Sequence, residues 1–182
     1  MPSELYGLPL HPLTVHAPVV LVPLLTLLVL VYVLAPPLRR HVGWVVMALT
    51  VAVPASVYGA RLTGELLAED SGGMTDVIAA HADKSVPLLW LTIALAPVTW
   101  FFGLLERGRR TVLARRVEAP KPAPVEGEDG TTSTPPSADD DPAVKGRRLI
   151  MAVLGLAMLG LAGASAYYVF QAGDSGARMV WG

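Results

Sequence analysis

The sequence predicts an all-α fold, a polytopic membrane protein with a four-transmembrane-helix bundle and a disordered cytoplasmic linker. Three observations carry that prediction. Of the 182 residues, 53% are hydrophobic and only 16% are charged. The apolar residues gather in four long runs, and the cations cluster between particular runs instead of spreading evenly. Such a composition places the chain among integral membrane proteins. A bilayer offers no partner to a bare backbone, so each crossing run should be helical.

The first span runs from about Pro12 to Leu34, and from Val19 to Leu34 it contains no charged residue. It approaches the roughly 20 apolar residues that a bilayer crossing needs. Its N-terminal flank carries Glu4 and no Lys or Arg, which argues for a retained span and against a secretory signal. Pro18 and Pro23 should bend it by removing backbone donors. The second span runs from about Val42 to Ala60, the third from about Val86 to Leu105, and the fourth from about Leu149 to Phe170.

Cations set the expected orientation. Arg39 and Arg40 follow span one, Arg107 to Arg116 follow span three, and Lys145, Arg147 and Arg148 precede span four. The connection between spans two and three carries Glu65, Glu69, Asp70, Asp76 and Asp83 against Arg61 and Lys84. Both termini and this acidic loop are therefore expected outside a bacterial plasma membrane, and the basic loops in the cytoplasm. Tyr32, Trp44 and Trp100 should then form an inner aromatic belt, with Tyr58, Tyr167 and Tyr168 at the outer interface. The chain divides into residues 1–116 (spans one to three with the extracytoplasmic loop), 117–145, and 146–182 (span four and its tail). Proline, small polar residues and Asp139–Asp141 make 117–145 a disordered tether. In span four, Gly160 and Ala164 form a small-xxx-small pair, expected to pack within the bundle.

The absence of cysteine excludes disulfides, thiolate zinc sites, iron–sulfur ligation and cysteine nucleophiles. No nucleophile-elbow or phosphate-loop context surrounds the serines and glycines, so the chain reads as no enzyme on its own. Gly72-Gly73 reads as a turn. The arginines are juxtamembrane, so the expected partners are the lipid bilayer and other membrane-complex subunits, with no nucleic acid.

The run His11-Pro12-Leu13-Thr14-Val15-His16 stands at the entrance of span one. Ionisable groups there are costly and normally face a partner. Pro12 suits a helix start, which makes His11 a helix-entry residue or secondary ligand and sets His16 just over a turn inside. A helix beginning near Thr75 would place His81, Ser85, Thr92 and Thr99 on one face, by steps of four and seven. Looking inward, that face would bring His81 opposite His16. Two neutral imidazoles on facing helices are what a low-spin b-type haem requires, with Arg61 and Lys84 as cations for its propionates. A divalent metal held by His11, His16, Glu65 and His81 is the alternative chemistry. Hydrogen bonding of these histidines to each other, to backbone or to water also accounts for them. His41, beside Arg39 and Arg40, reads as an interface residue.

The block Leu8-Pro9-Leu10-His11-Pro12-Leu13-Thr14-Val15-His16-Ala17-Pro18 resembles a bacterial membrane-protein family, domain of unknown function 2231. So do Thr63-Gly64-Glu65, His81, and Gly173-Asp174-Ser175-Gly176-Ala177 with Val180-Trp181-Gly182. The family usually has Phe where Ala17 stands, and often Asn where Asp83, Lys84 and Ser85 follow His81. The resemblance implies a four-helix membrane protein. Some relatives are joined to Rieske-type iron–sulfur domains, which points towards electron transfer. An accessory subunit of a larger, respiratory complex is the reading from a different class.

Overall fold

The computed structural model describes residues 4–5, 8–118 and 142–181. Ahead of the helices, β1 (Glu4–Leu5) and β2 (Leu8–Pro9) form a two-residue antiparallel ladder. Everything else of regular structure is helical: α1 (Leu10–Leu34), a 3-10 turn (Pro36–Leu38), α2 (Arg39–Asp70), α3 (Asp76–Glu118) and α4 (Pro142–Trp181). All four α-helices are long and apolar enough to cross a membrane. The expected all-α bundle is therefore the observed one.

Helices α2, α3 and α4 extend well past the predicted spans. α2 continues ten residues beyond Ala60, and α3 begins ten residues before Val86. α4 starts at Pro142, inside the segment assigned to the tether, with proline at a helix start where its missing N–H is harmless. The rest of that tether, 119–141, lies outside the described residues. Hydrophobicity marks only the length that meets hydrocarbon, whereas a helix ends where its backbone is capped. Between α2 and α3 the cap is a glycine turn. Gly72 and Gly73 have φ of 100° and 106°, the left-handed region that glycine tolerates. The Gly73 N–H donates to Ala68 O at 2.8 Å. Thr75 then opens α3, its hydroxyl accepting from the Ile78 N–H at 3.4 Å.

Neighbours in sequence pack side by side, and α4 returns onto α1, leaving α1 opposite α3 and α2 opposite α4 across the bundle axis. The inward faces advance in steps of three and four. On α1 the buried residues are Pro18, Val22, Leu25, Val29 and Tyr32. On α3 they are Leu88, Thr92, Leu95, Thr99, Phe102 and Glu106. Such steps of three and four are the spacing of a seam between packed helices. They confirm the inward polar stripe predicted on α3, since Thr92 and Thr99 are fully buried. Large apolar residues such as Trp44, Trp90, Leu156 and Phe170 face outward, as expected of a surface solvated by lipid tails.

Two sequence expectations fail. Tyr32 is a core residue, not a belt residue, because Gly43 has no side chain to exclude it: a Cβ there would stand 3.0 Å from Tyr32 Cε2. Gly160 does not pack within the bundle. It is exposed, as is Gly163, and a Cβ on either would meet nothing within 4 Å.

Candidate functional site

The helix extensions beyond the predicted spans build one end of the bundle, and His11 and His81 meet there. They arrive from the diagonally opposed helices α1 and α3, with ring centroids 6.4 Å apart and ring planes at 87°. The sequence pairing of His16 with His81 is not what the structure shows. His16 is exposed, and its Nδ1 donates to Pro12 O at 2.5 Å on its own helix. The reason is angular. Five residues turn an α-helix by about 140° beyond a full circle, so only one of the two histidines can face the axis. Continuing the buried α1 stripe back from Pro18 by four and three residues reaches Thr14 and His11.

His11 is fixed from α2. Its Nδ1 lies 2.9 Å from Ala60 O and 3.4 Å from Thr63 Oγ1. A carbonyl only accepts, so His11 Nδ1 carries the hydrogen. Thr14 and Thr63 hydroxyls share a 2.7 Å hydrogen bond beside it. Gly64 lets α2 come this close, since a Cβ there would sit 3.0 Å from His11 Cε1. His81 is fixed from α4, with Nδ1 2.9 Å from Ser175 Oγ. Gly176 plays the part of Gly64, its hypothetical Cβ 3.3 Å from His81 Cε1. Among the described residues no hydrogen bond engages Nε2 of either ring.

Both rings line a cavity of about 580 Å³ bordered by residues of all four helices. Its walls are mainly apolar, including Val15, Pro18, Leu88 and Val169, with Arg61, Glu65, Ser71 and Ser85 among the polar side chains beside the two histidines. That combination of an apolar chamber with a few convergent polar groups is characteristic of a small-molecule or cofactor site. Arg61 Nε donates to Glu65 at 3.1 Å, and its terminal nitrogen donates to Ser85 Oγ at 3.4 Å. Lys84 instead lines an adjoining groove of about 400 Å³ between α3 and α4, with Asp76, His81 and Ser175.

The four residues expected to hold a divalent ion are not assembled as a set. Glu65 is engaged by Arg61 and His16 points away. Among the described residues, no group of three or more His, Asp or Glu side chains converges on one point. His41 is exposed at the opposite end of the bundle.

Sequence reasoning missed Ser175 as a partner of His81, and Gly64 and Gly176 as the spaces that admit the rings. In the sequence, the segments around all three carry only a family resemblance. No curated protein and no solved structure matches the chain. A family model described as "Predicted membrane protein (DUF2231)" matches residues 7–120, which includes α1, α2, α3 and both inward-facing histidines. The chain that carries this paired-histidine chamber therefore belongs to the DUF2231 family of predicted membrane proteins.

Proposed function

We propose that the chain binds one b-type haem between His11 and His81 and carries electrons at one face of a bacterial plasma membrane. The observation that carries this reading is the ring separation of 6.4 Å across a shared cavity. Imidazoles on two facing helices at this separation would be able to hold one metal-centred cofactor between them. Nδ1 is hydrogen-bonded in both histidines while Nε2 is not engaged among the described residues, an outer-shell arrangement typical of metal-ligating imidazoles. Four-helix bundles commonly seat haem in this way, from facing helices. When bound, the haem supplies one-electron redox chemistry. The chain's own residues orient the imidazoles, exclude water with the apolar wall, and offer Arg61 to a carboxylate. His16 has no part in this reading, and Lys84 stands outside the chamber wall.

Charge distribution supports an orientation with the histidine end outside and the arginine-rich end in the cytoplasm. The test is an optical spectrum of the protein purified with haem available. A Soret band is expected, lost in His11→Ala and in His81→Ala and retained in His16→Ala. Wild-type protein that takes up no haem ends the proposal. Zinc or copper held by the same two histidines would replace haem with the divalent-metal reading.

A second reading, an accessory subunit of a larger membrane complex, is favoured by the outward Gly160 and Gly163 on α4, whose open surface allows close approach of another helix. Copurification of a partner that Gly160→Leu abolishes would support it, and a protein that purifies alone from native membranes would count against it.

A further inference from the structure

We infer that Ser175, on α4, is a positioning residue that fixes the tautomer of His81 and leaves the lone pair on Nε2. The argument starts from the serine's single hydrogen. Ser175 Oγ donates to Ala172 O, three residues earlier on its own helix, at 3.0 Å. With the hydroxyl hydrogen on Ala172 O, both contacts of Ser175 Oγ are satisfied at once only if its lone pairs face His81 Nδ1 at 2.9 Å and Nδ1 donates. The neutral ring therefore holds its proton on Nδ1 and leaves Nε2 unprotonated, because one nitrogen's hydrogen bond determines the state of the other. His11 reaches the same tautomer by a different route, through the carbonyl of Ala60, which no side-chain substitution can remove.

The next residue makes the contact sterically feasible. Gly176 brings the α4 backbone so near His81 that a Cβ would lie 3.3 Å from Cε1. Ser175-Gly176 thus supplies a hydroxyl acceptor and room for the ring in two consecutive residues. Both stand on α4, outside the matched residues 7–120, so the geometry of His81 depends on a helix beyond that match. His11 Nε2 and His81 Nε2 are then lone-pair donors prepared before anything binds.

The test uses the full chain without haem, labelled with nitrogen-15 in its four histidines. Spectra are taken near pH 8.5, about two units above the ordinary imidazole pKa, where the rings are neutral. Loss of one signal set in His81→Gln assigns His81. In the wild type, both His11 and His81 should show the proton on Nδ1. Ser175→Ala should lose the Nδ1–H signal of His81, whose proton moves to Nε2, while His11 stays unchanged and reports an intact fold. Ser175→Thr should restore the wild-type pattern. A wild-type His81 protonated on Nε2, or a Ser175→Ala variant that keeps Nδ1–H, would overturn the inference.

A haemin titration adds an arm that rests on the proposed function, with Ser175→Ala expected to bind about 10- to 100-fold more weakly. Equal affinity of wild type and Ser175→Ala would refute a role for Ser175 in ligand binding. Wild-type protein that binds no haemin would remove the haem reading and leave the tautomer result standing.

Discussion

The two ends of the bundle are built from similar helices and treat their polar groups in opposite ways. At the arginine end, Glu106 is buried, its side chain 4% exposed, and three guanidinium groups enclose it. Arg39 reaches it at 3.3 Å, Arg109 at 3.3 Å and Arg110 at 3.1 Å. Arg39 also donates to Tyr32 O and Val33 O at 2.8 and 2.7 Å, covering carbonyls at the end of α1, and lies over the Phe102 ring. Side chains meet closely here: Tyr32 packs against Phe102, and a Cβ on Gly103 would collide with the Met47 methyl. At the histidine end, by contrast, polar side chains border a chamber of about 580 Å³. A charged cluster that satisfies itself acts as a clasp. At the histidine end the Nε2 atoms of both imidazoles make no hydrogen bond among the described residues, and open volume lies beside the rings.

If that contrast is sound, stability should reside at one end and binding at the other. The largest effect is expected from Glu106→Ala. It leaves Arg39 largely buried, 11% exposed, without its carboxylate, and breaking a buried pair from one side costs about 3–5 kcal/mol. Thermal unfolding in detergent should show a large drop in midpoint, while any folded fraction keeps the His11 and His81 ring signals. Equal stability of wild type and variant would make the clasp incidental.

Removing the paired histidines should give the reverse pattern. His81→Ala loses one hydrogen bond in a half-buried setting, a cost of about 0.5–1.5 kcal/mol, yet is expected to abolish haem uptake. Measuring unfolding and the Soret band on the same sample separates the two readouts. A histidine variant as unstable as Glu106→Ala would mean that this end is structural too.

How far this contrast was legible in the sequence differs between the ends. The number of spans, the inward stripe on α3 and the glycine turn could all be read directly. They rest on charge segregation, helical spacing and glycine's freedom, which need no tertiary contact. The choice between His11 and His16 could not, because span one is apolar all round. A Leu facing lipid and a Val facing the core look alike to a hydrophobic pattern, so the face of α1 that turns inward left no mark. Tyr32 misled for a related reason: a belt residue and a core residue of the same type differ only in whether a neighbour, here Gly43, makes room. Ser175 was hidden because it lies 94 residues from its partner, on a helix extension that hydrophobicity does not report.

A smaller effect should come from the glycines beside the rings, and its order is set by distance. Gly64→Ala places a methyl 3.0 Å from His11 Cε1 and 3.1 Å from Nδ1, whereas Gly176→Ala places one 3.3 Å from His81 Cε1. The ring must yield in both cases, more so at Gly64, where the Nδ1 bond to Ala60 O is itself crowded. Haemin affinity should therefore fall further in Gly64→Ala than in Gly176→Ala. The opposite order would mean that α4 is held more rigidly against its histidine than α2.

The smallest expected effect lies on neither end, and it tests whether the lipid-facing flank is inert. A Cβ on Gly160 meets nothing within 4 Å, so Gly160→Ala creates no clash inside the bundle. Alanine is also the better helix former, by about 0.8–1.0 kcal/mol where propensity alone decides. Unfolding in detergent should thus show an unchanged or slightly raised midpoint, with haem uptake intact. In native membranes the outcome depends on what covers that face. If only lipid does, the added methyl exchanges one apolar contact for another and nothing else changes. If a partner helix does, the methyl separates two closely approaching backbones, and copurification weakens while the isolated protein stays as stable as before. Agreement between the detergent and membrane results would assign all binding to the histidine end, and disagreement would assign a second, protein-binding role to α4.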